Sequence, residues 1–186
     1  MIYILPTDTC YGIACPLDDK KNYEKIYKIK KRDFGKPLAI MVESFAWLRE
    51  NTYLTDKQVD FLERYEKPFT ILTYSDPVEL FLKYGDTGEE HFINKDVYER
   101  VAFRVASQMI DKDLVAEHGP IWLTSANLSG TGESYTLEKI EKDFEYYVEN
   151  NIVEVLGGYD LNPNIPASDI FEFVGESLEV EYMRKG

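Results

Sequence analysis

Short apolar runs alternate irregularly with helical segments from Ile2 to Tyr182. That interleaving limits the chain to an α/β (α+β) architecture, a mixed sheet with helices packed against it. Ile2–Leu5 and Gly12–Cys15 read as strands around a loop at Pro6–Tyr11. Leu38–Val42, Phe69–Tyr74, Val101–Ala106, Ile121–Thr124, Val153–Leu156, Ile170–Val174 and Leu178–Tyr182 supply further strands. His91–Ile93 reads as a short one after a polar loop at Gly85–Glu90. Helices fall between them. One is capped by Asp18 or Asp19 and runs to Lys31, with Tyr23, Ile26, Tyr27 and Lys30 on one face. Ser44 opens another through Asn51, and Thr55-Asp56-Lys57-Gln58 has the spacing of a capping box for a third to Tyr65. Ser107 is expected to cap a helix to His118, and Thr136 one to Glu149. Strand and helix do not alternate strictly, so the sheet is expected to be twisted and mixed rather than wholly parallel.

The length, 186 residues, suits one domain with a substantial core. No apolar run is long enough to span a bilayer, and Met-Ile-Tyr-Ile-Leu-Pro lacks the basic and apolar regions of a secretion signal. A cytoplasmic location is expected. Cys10 and Cys15 are too close for a long-range staple and lack metal-ligand spacing, so reduced thiols are expected. His91 and His118 lie outside every motif, and no protein-bound metal is expected. The net charge of −13 argues against a broad basic face for nucleic acid. The one dense cationic cluster spans Lys25 to Lys36. It is either the solvated face of a helix or a local anion site, because its charges continue past the helix into Arg32-Asp33-Phe34-Gly35-Lys36-Pro37.

Thr124-Ser125-Ala126-Asn127-Leu128-Ser129-Gly130 follows directly on Ile121-Trp122-Leu123. Small side chains after a strand let a ligand approach the backbone, and hydroxyls and free N–H groups can hold anionic oxygens. The same composition also makes ordinary turns. Arg104 is the polar misfit in Val101-Ala102-Phe103-Arg104-Val105. It is either the outward side chain of a half-exposed strand or a fork for a carboxylate or phosphate.

In order, Pro6-Thr7-Asp8-Thr9-Cys10-Tyr11-Gly12, Lys30-Lys31-Arg32, Pro37-Leu38, Arg104 and Thr124–Gly130 resemble the YrdC-like family of threonylcarbamoyl-AMP synthases. The resemblance extends over residues 1–186 as a single YrdC-like domain. It implies a curved mixed sheet with a concave ligand-binding face. It further implies synthesis of threonylcarbamoyl-AMP and pyrophosphate from L-threonine, bicarbonate and ATP, with Mg2+ accompanying ATP. A separate tRNA threonylcarbamoyl transferase would consume the product. Carried over position by position, Thr9, Arg104 and Thr124 would bind threonine. Lys30, Arg32, Ser125, Asn127, Ser134, Ser168 and Arg184 would bind ATP, with Thr7, Tyr11 and Lys36 as further contacts. The sequence departs from the family at Asp33, where proline is usual, in the longer Thr131-Gly132-Glu133 segment, and at Ala167. These departures keep an alternative open, a non-catalytic paralogue binding nucleotide or double-stranded RNA. The charge disfavours direct RNA binding.

Overall fold

The computed structural model describes residues 1–75 and 97–186. The expected loop at Gly85–Glu90, the strand at His91–Ile93 and His91 itself lie outside the described residues. In chain order the elements are β1 (Ile2–Pro6), β2 (Tyr11–Pro16), α1 (Lys20–Lys30), β3 (Ala39–Val42), α2 (Phe45–Asn51), α3 (Asp56–Glu63) and β4 (Phe69–Thr73). They continue with β5 (Val101–Val105), α4 (Met109–His118), β6 (Ile121–Ser125), α5 (Leu137–Glu149), β7 (Val153–Val155), β8 (Asp169–Phe173) and β9 (Val180–Arg184).

Local chemistry sets most boundaries. Asp19 accepts from Asn22 N, Ser44 from Trp47 N and Thr136 from Lys139 N, each satisfying an orphan amide of a first turn. Thr55 and Gln58 complete a reciprocal capping box on α3. The expectation at Ser107 is corrected. Gln108 is the cap residue of α4 and makes no side-chain cap bond. Asp111, one turn in, reaches back and accepts from Ser107 N at 3.2 Å, which ties the segment before the cap to the first turn. α1 ends where Lys31 adopts φ 51°, and Arg32 N closes the turn on Tyr27 O at 2.9 Å.

The described strands form one mixed sheet in the order β7-β1-β2-β6-β3-β5-β4-β8-β9. β1/β7, β3/β5 and β4/β8 are parallel and the other neighbours antiparallel. Side-chain parity divides the two faces. Ile2, Ile4, Ile13, Ile40, Val42, Phe103, Trp122 and Phe171 join residues of α1, α2, α3 and α5 in the main core. Leu5, Ala14, Met41, Ile121 and Leu123 point the other way and meet Leu114 and Val115 of α4. Among the described residues, four helices thus cover one face, while α4 packs on the other face near β1. The rest of that second face carries the cavity. Among the described residues, no helix is long and apolar enough to cross a membrane.

The parity of β5 is testable. Phe103 is fully buried. Phe103→Ala is expected to lower the unfolding free energy by about 3–5 kcal/mol. Arg104→Ala, one residue on and facing the cavity, removes no core packing but leaves Asp8 unpaired, and is expected to cost less, about 1–2 kcal/mol. Urea denaturation of both variants checks this, and equal losses would contradict the assignment of faces.

Candidate active site

A cavity of about 380 Å³ opens on the second face. Its floor is the alternate residues of the central strands, among them Ala39, Leu72, Ala102 and Leu123. Several separated segments bring polar groups to its wall. The β1–β2 loop contributes Thr7 and Thr9, and the turn after α1 contributes Arg32. Arg104 comes from β5, and Thr124 and Ser125 from the end of β6. Ser168 and Arg184 come from the last hairpin. Gly12 permits a close approach. A Cβ there would lie 2.7 Å from Leu123 Cδ1 and 3.2 Å from Thr7 Cγ2.

The loop after β6 is held from within the protein. Lys30 is 2% exposed, and its ammonium donates to Ser125 O, to Asn127 O at 2.7 Å and to Asn127 Oδ1 at 3.3 Å. Ser129 N donates to Lys30 O at 2.9 Å, and Ala126 N to Tyr11 O at 2.6 Å. Ser125 Oγ donates to Asn127 Oδ1 at 2.6 Å, while Asn127 Nδ2 donates to Thr131 O at 2.7 Å. Lys30 and Asn127 therefore do not line the cavity; they fix the loop whose Thr124 and Ser125 do. Burial, together with the charge of Arg32, pushes the Lys30 amino group down to about 8.

The turn carrying Arg32 is braced by a chain of tyrosines. Leu38 N donates to Tyr98 OH at 3.0 Å, and the Tyr98 and Tyr23 hydroxyls lie 2.8 Å apart. Tyr23 and Tyr27 hydroxyls are 3.2 Å apart, and Tyr27 OH donates to Lys36 O at 2.9 Å. Arg32 Nε donates to the same carbonyl at 3.2 Å and its Nη2 to Pro37 O at 3.1 Å. The guanidinium is thus pre-oriented beside the cavity. Lys36 contributes its carbonyl to this brace, and its side chain is exposed and outside the cavity wall. Asp33 accepts from Gly35 N at 2.8 Å, a local turn bond.

The remaining candidates divide similarly. Ser168 is buried and accepts from Arg184 Nη2 at 3.0 Å, and its Oγ is 3.1 Å from Thr70 Oγ1. Thr7 Oγ1 donates to Cys10 O at 2.7 Å and lies 3.2 Å from Thr9 Oγ1, so its hydroxyl shapes the turn. Tyr11 points away; its hydroxyl donates to Tyr159 O at 2.8 Å and ties down the chain before β8. Ser134 is buried outside the wall, accepts from Tyr11 N at 2.8 Å, and has an unpartnered Oγ. Cys10 lines the wall as a free thiol pushed up to about 11 by burial and by Glu133, and Cys15 is free and buried. His118 Nε2 lies 3.1 Å from Tyr3 OH, away from the cavity.

Two acidic residues were not anticipated as site residues. Asp8 forms an ion pair with Arg104, and Glu133 lines the wall while accepting from Tyr135 OH at 2.8 Å. Asp8 lies inside the motif at Pro6–Gly12, and Glu133 inside the longer segment after Gly130. Both positions were visible in the sequence, their partners were not. Buried Asp111 has one oxygen without a hydrogen-bond partner. Burial raises its carboxyl to about 6, opposed by the Ser107 amide and reinforced by the charge of Asp8.

The model of the Sua5/YciO/YrdC family, described as telomere recombination, matches residues 1–186. The chain belongs to this family. A Pseudoalteromonas translucida protein named threonylcarbamoyl-AMP synthase is 26% identical over 161 residues, covering 84% of this chain and 81% of that one. A provisionally named threonylcarbamoyl-AMP synthase of Methanocaldococcus jannaschii is 29% identical over 143 residues, covering 76% of this chain and 62% of the other. The crystal structure of P. abyssi Sua5 complexed with L-threonine superposes with a TM-score of 0.73 at 20% identity, covering 98% of this chain and 49% of that one. This chain therefore spans about half the length of that Sua5 protein and about three fifths of the M. jannaschii relative.

In this Sua5/YciO/YrdC chain, the burial of Lys30 has a measurable sign. Its folded value, about 8, lies below the ordinary 10.5. Between the two, the unfolded chain holds the proton and the folded chain does not, so stability rises with pH. Relative to Lys30→Met, the wild type is expected to gain up to about 3 kcal/mol as pH rises from 8 to 10.5. Urea unfolding of both proteins across that window checks it; parallel curves would mean that the three oxygen contacts offset the burial of the ammonium.

Proposed function

We propose that the protein forms threonylcarbamoyl-AMP from L-threonine, bicarbonate and ATP. The observation that carries this reading is the convergence of three arginines and several hydroxyls, from separated segments of the chain, on one cavity. The names of the relatives and the threonine complex of P. abyssi Sua5 support it. Threonine's amine, once its ammonium has given a proton to solvent, and bicarbonate give an N-carboxylate with loss of water. A carboxylate oxygen then attacks the α-phosphorus of ATP as the bond to pyrophosphate breaks. Such a reaction relies on positioning and on neutralising phosphate charge.

Arg104 receives the threonine carboxylate, with Thr9 and Thr124 beside it. Arg32, Ser125, Ser168 and Arg184 surround the nucleotide, and Lys30 acts through the loop that it holds. Asn127 shares that scaffolding role. Magnesium enters with ATP, bound to its phosphates. Among the described residues no cluster of three acidic, histidine or cysteine side chains could hold a metal by itself. The product suits a separate tRNA threonylcarbamoyl transferase in the cytoplasm, which leaves the acidic surface of this chain free of any need to grip RNA.

Pure protein supplied with ATP is expected to release pyrophosphate only when both threonine and bicarbonate are present, with the adenylate detected by mass spectrometry. ATP binding without threonine-dependent release would favour a non-catalytic nucleotide binder instead. Arg32→Ala is expected to weaken ATP binding about ten- to hundredfold in calorimetry, as loss of a charge-assisted contact does. Arg104→Lys should lose threonine affinity nearly as fully as Arg104→Ala while ATP binding persists, because an ammonium cannot reproduce the planar fork. A lysine variant with normal threonine affinity would remove Arg104 from the site.

A further inference from the structure

Among the three arginines that line the cavity, Arg104 alone is paired with a carboxylate among the described residues. Arg32 donates to the Lys36 and Pro37 carbonyls and Arg184 to Ser168. Arg104 Nη2 donates to Asp8 Oδ1, with side-chain exposures of 12% for the arginine and 27% for the aspartate. The flanking Thr7 and Thr9 both line the cavity, so Asp8 sits at its edge. An α-amino acid carries the same two charges as this pair, joined through one carbon. Such a pair can open to a zwitterion, each member exchanging its partner for the matching group of the ligand.

We propose that Asp8 and Arg104 together form a zwitterion subsite, in which Arg104 takes the substrate's carboxylate and Asp8 takes its α-ammonium. This rests on the threonine reading above and adds the residue that recognises the amine. Charge balance favours it. A ligand with a carboxylate alone would displace Asp8 from Arg104 and leave it unpaired. It would then feel the charge of buried Asp111 with no cation between them. Unpaired charge in a partly buried setting is costly. A zwitterion brings its own cation, and the net charge around Asp8 is unchanged. The subsite therefore selects for an amine, the nitrogen that the reaction carboxylates.

The test compares L-threonine with (R)-3-hydroxybutanoate, which keeps the carboxylate and hydroxyl and lacks the amine. Calorimetry is run on wild type and on Asp8→Asn, an isosteric change. Wild type is expected to bind threonine at least about tenfold more tightly than the deaminated acid, the scale of one charge-assisted bond. Asp8→Asn is expected to lose about tenfold in threonine affinity while binding the deaminated acid as well as wild type or better. Equal losses for both ligands would mean that Asp8 only holds Arg104, and unchanged threonine affinity would mean that it does not meet the ligand. Either overturns the proposal. So would equal affinity of wild type for the two ligands, a comparison that needs no variant to fold. Failure of wild type to bind threonine at all would remove the functional reading itself, and the subsite with it.

Discussion

One buried ammonium organises the candidate site. Lys30 reaches the loop after β6 and donates to oxygens of Ser125 and Asn127. That loop is built of small polar residues and has little apolar surface to hold it in place, so its shape depends on hydrogen bonds. Removing a lysine from water is expensive, and three contacts to oxygen offset the cost only while the geometry holds. The end of α1 thereby sets two parts of the cavity at once. Lys30 fixes Thr124 and Ser125, and one left-handed residue later the chain releases Arg32 toward the wall.

Strand parity does the rest. The central strands place large apolar residues toward four of the described helices, and alanines, leucines and polar residues toward the cavity. Arg104 follows Phe103 and therefore cannot share its environment. On the opposite wall, Gly12 lets Leu123 and Thr7 close together, and a Cβ there would push the Leu123 methyl aside. The result is a wall of arginines and hydroxyls on a floor of Ala39, Leu72, Ala102 and Leu123, in a chain whose overall charge is −13. Local concentration of cations, rather than net charge, makes the site suitable for anions.

Much of this was legible because it is local. Alternation marks the strands, and the caps at Asp19, Ser44, Thr55 and Thr136 mark helix starts. Ser107 misled because a competing acceptor, Asp111, stands one turn away. Thr9, Arg104 and Thr124 could be singled out from their motifs, and all three line the cavity. The pairings that give the site its electrostatics could not be read, since they join residues far apart in the chain. Asp8 and Arg104 are separated by 96 positions, and Lys30 and Ser125 by 95. A motif shows that a lysine stands at the end of a helix; only the packing of that helix against β6 decides whether the ammonium meets a ligand or a loop.

A crystal structure with L-threonine and a non-hydrolysable ATP analogue tests the central claim most directly. The expected result keeps the Lys30 ammonium on the Ser125 and Asn127 oxygens, with the phosphates near Arg32 and Arg184 and the threonine carboxylate on Arg104. A Lys30 side chain withdrawn from the loop and placed on the phosphates would contradict the account, as would ligands bound outside the cavity.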